Sequence, residues 1–210
     1  AFRIEEIRLY LGVILGFTVL IALNVRDMFG SFFESFHHAL FQVASIITTT
    51  GFATVDFNYW PAFSKSLLVL LMFIGACAGS TGGGIKCSRV VLMAKSVKKE
   101  MQYLIHPRVV RVHKMDGHRV QHEVMRSVNA FLIAYLLIFV VSVLLVSLTC
   151  EDMVTNFTAV ATALNNVGPG LELVGPAANF SFLHPLSKIV LMFDMLAGRL
   201  ELFPMLLLFT

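Results

Sequence analysis

The sequence Ala44-Ser45-Ile46-Ile47-Thr48-Thr49-Thr50-Gly51 returns in a related form as Ala161-Thr162-Ala163-Leu164-Asn165-Asn166-Val167-Gly168. Each copy ends a short, half-polar segment and opens a loop at a glycine. Similar stretches in two parts of one chain are the signature of an internal repeat. The sequence therefore predicts two copies of one structural unit.

Apolar segments surround each copy in the order long, short, long. Aligning Lys188 with Lys65 extends the repeat into the last segment of each unit, because it places Gly198 on Gly75. The long segments approach the roughly 20 residues that cross a bilayer as a helix, whereas the short ones are too short to cross. We therefore expect two units of helix, half-crossing helix, loop and helix. The predicted segments are 9–25, 31–47, 63–78 with 85–96, 124–149, 153–164 and 186–209.

The composition is that of an all-α integral membrane protein. Of the 210 residues, 57% are hydrophobic and 14% are charged, whereas soluble domains have roughly 45–50% apolar and about 25% charged residues. Cys77, Cys87 and Cys150 have unrelated spacings, so we interpret them as unpaired thiols rather than a disulfide framework or metal site. Because residues 206–210 are still apolar, we expect the sequence to be a piece of a longer protein.

Basic residues are concentrated between the two units, where ten of the sixteen lie within residues 86–126. Such a stretch predicts a cytoplasmic location and half-helices that enter from the outer side. Contact with nucleic acid or anionic lipid is the alternative, but topology is the simpler explanation, so no nucleic-acid partner is expected. The predicted divisions are a first pore unit at 1–100, a linker at 101–123 and a second pore unit at 124–210.

The two repeated loops have the composition of a cation site. A half-helix that enters from outside directs the negative end of its dipole into the membrane, and irregular backbone is tolerated there only in protein or beside water. Rings of carbonyl oxygens can replace the hydration shell of K⁺, and neither loop contains a carboxylate. A buried turn explains either loop alone, but two copies favour a selectivity filter. Its predicted residues are Thr49, Thr50, Gly51, Phe52, Asn166, Val167, Gly168 and Pro169, with K⁺ at Thr49, Thr50, Asn166 and Val167.

Residues 75–86 interrupt an apolar segment with a run of glycines that a continuous helix would not tolerate well. A phosphate-binding loop is excluded, because Ile85 stands where that pattern needs lysine. A serine-nucleophile elbow is also excluded, since the spacer residue is missing, and no enzyme activity is expected. Close helix packing through small residues stays an alternative to a movable gate. The predicted gating residues are Gly75, Gly79, Ser80, Thr81, Gly82, Gly83 and Gly84.

Arg199 is a charged residue within the last apolar segment, where a charge is costly and usually faces a cavity or a partner. In the register of Lys65 and Lys188, Arg199 falls on Ala76, at the edge of the glycine run. Arg199 is therefore predicted to form a positive barrier in the pore. A structural ion pair with Glu201 or Asp194 is the other interpretation.

Four motifs together resemble the Trk/Ktr/HKT superfamily of potassium transporters, and most closely its bacterial TrkH/TrkG branch. They occur in the family's order and span most of the chain. The motifs are Thr49-Thr50-Gly51-Phe52, Ala78-Gly79-Ser80-Thr81-Gly82-Gly83-Gly84-Ile85-Lys86, Asn166-Val167-Gly168-Pro169-Gly170 and Gly198-Arg199-Leu200-Glu201.

The resemblance implies four helix–pore-loop–helix repeats around one pore, of which this chain supplies the third and fourth. It implies that Gly51 and Gly168 are filter glycines, that residues 75–84 form a gate below the filter and that Arg199 projects toward the same constriction. It further implies K⁺ as substrate without a covalently bound cofactor, a homodimer in the bacterial inner membrane, and cytoplasmic nucleotide-binding regulatory subunits. A secondary cation-coupled transporter with broken helices, in which Asp194 would be the coupling carboxylate, and a purely structural membrane subunit stay open as alternatives.

Overall fold

A computed structural model describes residues 4–105, 114–115, 118–149 and 152–199. The described residues form seven α-helices, joined by loops and single turns of 3₁₀-helix. Two strands of two residues each, β1 and β2, pair antiparallel between α4 and α5. The elements are α1 (Glu5–Asn24), α2 (Phe32–Ile47), α3 (Ala62–Phe73), α4 (Cys87–Ile105), β1 (Lys114–Met115), β2 (His118–Arg119), α5 (His122–Ser147), α6 (Met153–Leu164) and α7 (Pro185–Arg199).

Two of these helices, α1 and α5, are long and apolar enough to cross a membrane. Helices α3 and α6 are apolar but shorter. Large apolar side chains on α5 and α7 are exposed, for example Leu137 and Ile189 at 62% and 66%. Because exposed apolar surface on this scale is unusual for a soluble protein, these faces are suited to lipid or to further protein.

Helices α1–α3 and α5–α7 each enclose a hydrophobic core. The first core includes Ile21, Val43 and Leu68, which are fully buried. The second includes Phe139 and Val160. The cores also exchange residues, because Val167 and Leu171 from the second unit are buried in the first core and Ile85 is buried in the second. The two units therefore pack as one body.

Helices α2 and α6, which correspond to the two predicted half-crossing segments, both begin with a polar cap. The side chain of Ser31 accepts a hydrogen bond from the amide of Phe33 at 3.3 Å, and Asp152 accepts one from the amide of Thr155 at 2.8 Å. Hydrogen bonds from the Thr155 hydroxyl and amide lower the pKa of Asp152. These caps satisfy amides that the first turn of a helix leaves unpaired.

The third predicted segment breaks earlier than expected. Helix α3 ends at Phe73 rather than at residue 78, because the next residues pair with the far end of the glycine run. The amide of Gly75 donates to the carbonyl oxygen of Ile85 at 2.9 Å, and the amide of Ile85 donates to that of Phe73 at 3.1 Å. The apolar residues 74–78 therefore belong to the neck of the glycine loop and not to a helix.

Two other boundaries differ from expectation. Helix α4 continues to Ile105, well past the predicted end at residue 96, so it also passes the division placed at residue 100. Helix α7 is described to Arg199, and the remainder of the predicted segment 186–209 lies outside the described residues.

Candidate functional site

The two repeated loops fold with the same backbone hydrogen bonds. The amide of Thr50 donates to the carbonyl oxygen of Ser45 at 3.0 Å, and the amide of Val167 donates to that of Thr162 at 2.9 Å. Under the alignment of Gly168 with Gly51, these two bonds occupy equivalent positions. The repeat found in the sequence is therefore also a repeat of local structure.

Both loops pass twice through the left-handed region of backbone conformation. Thr49 and Asn166 have φ of 57° and 53°, and Gly51 and Gly168 have φ of 75° and 116°. Left-handed conformation is costly for residues with a Cβ, so each threonine or asparagine marks local strain. Two φ reversals within three residues change the direction of successive peptide units at the end of each half-helix.

The loops also touch one another. A Cβ at Gly51 would overlap the carbonyl oxygen of Val167 and lie 3.1 Å from Cδ of Pro169. A Cβ at Gly168 would lie 3.6 Å from Cα of Gly51. The two predicted filter glycines thus face each other across the contact between the units.

Carbonyl oxygens of both loops lack hydrogen-bond donors within the described part of the chain. They belong to Thr49, Thr50, Gly51, Asn166, Val167 and Gly168. A backbone oxygen without a hydrogen-bond donor in the protein is free to accept from water or to bind an ion. This set is therefore available to bind a cation.

Phe52 differs from the other predicted filter residues. Its carbonyl oxygen accepts a hydrogen bond from Oγ of Ser45 at 2.6 Å. At the equivalent place in the second loop, Oγ1 of Thr162 accepts from the amide of Gly168 at 2.8 Å. A hydroxyl on each half-helix thus fixes its own loop, and we assign Phe52 to this support rather than to the cation-binding oxygens.

Further polar contacts fix the second loop to neighbouring helices. Tyr135 donates its hydroxyl to Oδ1 of Asn165 at 2.8 Å in a buried contact. Nδ2 of Asn166 donates to the carbonyl oxygen of Met195 on α7 at 3.1 Å. A cavity of about 680 Å³ opens beside the two loops, lined by residues that include Thr49, Thr50, Asn166, Val167, Gly168 and Lys188.

The glycine loop, residues 75–84, packs against the C-terminal ends of α2 and α6. A Cβ at Gly83 would overlap the carbonyl oxygen of Asn165, and one at Gly82 would lie 3.3 Å from Oγ1 of Thr49. Glycine is therefore required here for close approach. The packing interpretation and the non-helical interpretation both describe part of the loop, since it is irregular and also tightly packed.

A lysine at the end of the glycine loop holds its tip. Nζ of Lys86 donates to the carbonyl oxygens of Ser80 and Gly82 at 2.6 and 2.8 Å. Lys86 itself is 8% exposed. By contrast, Gly79 has φ of 84° and open space around it. Lys86 thus holds the tip of the loop, while Gly79 has no neighbouring atoms that would restrict it.

Glu6 is a contact of this loop that sequence reasoning did not find. Its Oε1 accepts hydrogen bonds from the amides of Ala78 at 2.6 Å and Ser88 at 3.1 Å. The first partner is 72 residues away along the chain, and no motif connects the two. Only the tertiary structure reveals this contact.

Arg199 lies beside the glycine loop, as the repeat register predicted. A Cβ at Gly198 would overlap the carbonyl oxygen of Leu164, so glycine brings α7 against the end of α6. A cavity of about 80 Å³ joins the loop and this part of α7, and its lining includes Ser80, Thr81, Lys86, Arg89, Tyr135 and Arg199.

The structural ion-pair interpretation of Arg199 loses one of its two partners. Asp194 is fully buried and accepts a hydrogen bond from Oγ of Ser142 at 2.7 Å. Arg199 is exposed and forms no ion pair with any residue that the structure describes. The other predicted partner, Glu201, lies outside the described residues.

Metal-binding clusters of three or more His, Cys, Asp or Glu residues are absent from the described part of the chain. Cys77 and Cys87 are free thiols there, and Cys150 lies outside it. Lys65 pairs with Glu172 at 3.2 Å and connects the two units.

Known proteins resemble this chain along nearly all of its length. The potassium uptake protein TrkH of Salmonella typhimurium is 40% identical over 210 residues, which cover 99% of this chain and 43% of that protein. TrkG of Escherichia coli K12 is 35% identical, with 98% and 42% covered. The crystal structure of the potassium transporter TrkH from Vibrio parahaemolyticus superposes with a TM-score of 0.91 at 39% identity, covering 100% of this chain and 45% of that one.

The chain therefore spans less than half the length of these relatives. They are membrane transport proteins and not enzymes, which confirms the expected class and the membrane location. The model of the TrkH family, described as cation transport protein, matches residues 13–210. The resemblance predicted from the four sequence motifs is thus confirmed, and the chain belongs to the TrkH family of cation transport proteins.

Proposed function

We propose that this chain supplies half of a K⁺-selective pore that takes up potassium across the bacterial inner membrane. The supporting observation is the pair of facing loops, whose carbonyl oxygens have no hydrogen-bond donors among the described residues. A ring of such oxygens suits a large monovalent cation, because neutral dipoles replace water without the strong binding of a carboxylate. K⁺ is then bound by the carbonyls of Thr49, Thr50, Asn166 and Val167.

Two helix–loop–helix repeats cannot surround an ion by themselves. The missing half of the ring is assigned to two further repeats of the same full-length protein. The cavity of about 680 Å³ beside the filter loops is lined by residues of both loops. Homodimerisation and a cytoplasmic nucleotide-binding regulatory subunit complete the proposed assembly, with residues 86–126 on the cytoplasmic side.

The glycine loop is proposed to gate this path. It lies against the inner ends of both half-helices through Gly82 and Gly83, so an ion that leaves the filter meets it next. Gly79 has open space around it, and glycine allows the backbone there to move without side-chain clashes. A loop with these properties is suited to open and close the path.

Full-length protein in liposomes should conduct K⁺ in preference to Na⁺, and deletion of residues 79–83 should raise that K⁺ flux. The physical reason is that the deletion removes the part of the gate that contacts Asn165 and Thr49. Flux is measured at matched protein density, and replacement of exposed Ser66 by alanine on α3 serves as the control. Unchanged or lower flux per folded protein would contradict the gate, and absence of K⁺ flux in the parent protein would contradict the proposed function.

The orientation of the basic stretch is tested separately. Single cysteines placed at Arg108 and His118 should react with a membrane-impermeant thiol reagent only after the cells are opened. The positive-inside bias of residues 86–126 is the reason. A cysteine at exposed Tyr59, on the opposite side of the filter, should react in intact cells. Reaction at Arg108→Cys from outside would overturn the topology and the orientation of the filter.

The cation-coupled transporter alternative requires a carboxylate on the ion path. Asp194 is fully buried, but it is bound by Ser142 and lines neither of the cavities beside the filter and the glycine loop. This arrangement favours the pore over the coupled transporter.

A further inference from the structure

We propose that Glu6 is a positioning residue of the gate, whose carboxylate joins the two ends of the glycine loop and keeps the loop in its blocking position. This inference rests on the proposed function, in which residues 75–84 obstruct the ion path. Glu6 belongs to α1, a helix that contributes nothing to the filter. The inference therefore assigns a part of the gating apparatus to the first helix of the unit.

A single oxygen atom makes the connection. Oε1 of Glu6 accepts hydrogen bonds from the amide of Ala78 at 2.6 Å and from the amide of Ser88 at 3.1 Å. Ala78 lies on the arm that enters the loop, and Ser88 lies in the first turn of α4, just after the loop ends. The carboxylate thus bridges both arms of the loop from outside.

Backbone contacts close only the part of the neck below this bridge. The amide of Gly75 donates to the carbonyl oxygen of Ile85 at 2.9 Å, and the amide of Cys87 donates to that of Ala76 at 3.2 Å. Glu6 extends the closure to Ala78, directly before Gly79, where the loop turns into open space. Between Ala76 and Ser80, which Lys86 binds, Glu6 is the contact that holds the entering arm to the first turn of α4.

The setting of Glu6 indicates that these bonds hold the charge in place. Glu6 is 8% exposed, and a buried carboxylate is strongly destabilising unless it is hydrogen-bonded. Bonds between a carboxylate and backbone amides are shorter and stronger than neutral ones. The two amides supply the hydrogen bonds that the carboxylate lost on burial, so its position and the closed loop depend on each other.

The same helix holds α4 at a second point. Glu5 forms an ion pair with Lys95, two turns along α4 from Ser88. A displacement of α4 against α1 would therefore act on Glu6 and on the loop at the same time. A regulatory partner that binds the cytoplasmic end of α4 would in this way release the gate without touching it.

The thiol of Cys77 reports on this contact, because it is the neighbour of Ala78 and is half-buried, whereas Cys87 is buried. The experiment measures the rate of Cys77 modification by a thiol reagent in the full-length protein, with Cys150 replaced by serine. Loss of two charge-assisted bonds in Glu6→Ala should raise that rate by about tenfold. Glu6→Gln keeps one acceptor oxygen and should give a smaller increase. Glu34→Gln, the same change at an exposed glutamate of α2, is the control and should leave the rate of Cys77 modification unchanged.

Modification of Cys87 shows whether the protein is folded, since a general loss of structure would expose both thiols. If Glu6→Ala exposes Cys87, Glu6→Gln decides the question by the same measurement. Parent-like Cys77 modification in a folded Glu6 variant would overturn the inference.

K⁺ flux then separates the inference from the function on which it rests. Faster Cys77 modification with raised flux supports both. Faster modification with unchanged flux would support the Glu6 contact but contradict the role of the loop as a gate.

Discussion

Replacement of Gly51 by alanine is expected to abolish selective K⁺ uptake by the full-length protein. Two effects act together at this position. A φ of 75° costs a residue with a Cβ about 1–2 kcal/mol. The new Cβ would also overlap the carbonyl oxygen of Val167, one of the proposed K⁺ ligands in the other loop. The oxygen must move to remove the overlap, so the defect extends from one filter loop to the next.

Gly168→Ala should have the same result for a different reason. Its φ of 116° is unsuited to alanine, although the nearest atom, Cα of Gly51, would be 3.6 Å away. Gly12 and Gly16 on α1 are matched controls, because a Cβ there meets nothing within 4 Å. The measurement is the ratio of K⁺ to Na⁺ flux in liposomes. A parent-like ratio in folded Gly51→Ala protein would contradict the assignment of these loops as the filter.

Replacement of Arg199 by alanine should raise K⁺ flux and leave the K⁺/Na⁺ ratio largely unchanged. At an effective dielectric constant near 20, two unit charges about 6 Å apart repel by roughly 3 kcal/mol. If nothing offset it, this repulsion would slow passage by about two orders of magnitude. Asp194 is fully buried and does not line the cavity beside Arg199, so it offsets less of the repulsion than the sequence alone suggested. Lys86 and Arg89 line the same cavity and would keep part of the barrier in the variant.

Arg199→Lys is the control, since it keeps the charge and should keep flux near that of the parent protein. A bracing role for the guanidinium predicts the opposite pattern, with low flux per folded protein in both variants. Flux in liposomes at matched protein density distinguishes the two roles. A fall in flux for Arg199→Ala would end the barrier interpretation.

The parts of the site that follow from local sequence were predictable. The half-helices end at Ile47 and Leu164, as the repeated stretches indicated, because helix termination by a polar stretch that leads to a glycine is a local property. The equivalence of Arg199 with the edge of the glycine loop also followed from register alone.

Contacts between distant parts of the chain were not predictable. The bonds of Glu6 to Ala78 and of Tyr135 to Asn165 connect residues with no shared motif. The early end of α3 has the same origin, since pairing of Gly75 with Ile85 overrides the apolar pattern that favoured a longer helix. Such features depend on which surfaces meet, and periodicity within one segment contains no information on that.

The burial of Val167 and Leu171 in the first core has a consequence for how the repeat evolved and assembles. A unit that fills its own interior can be copied, moved or expressed alone, but here each unit completes the interior of the other. Without the second unit, the first would be left with a hole lined by the side chains that surround Val167. We therefore expect neither unit to fold stably without the other, so the pair is the smallest part of the chain expected to fold.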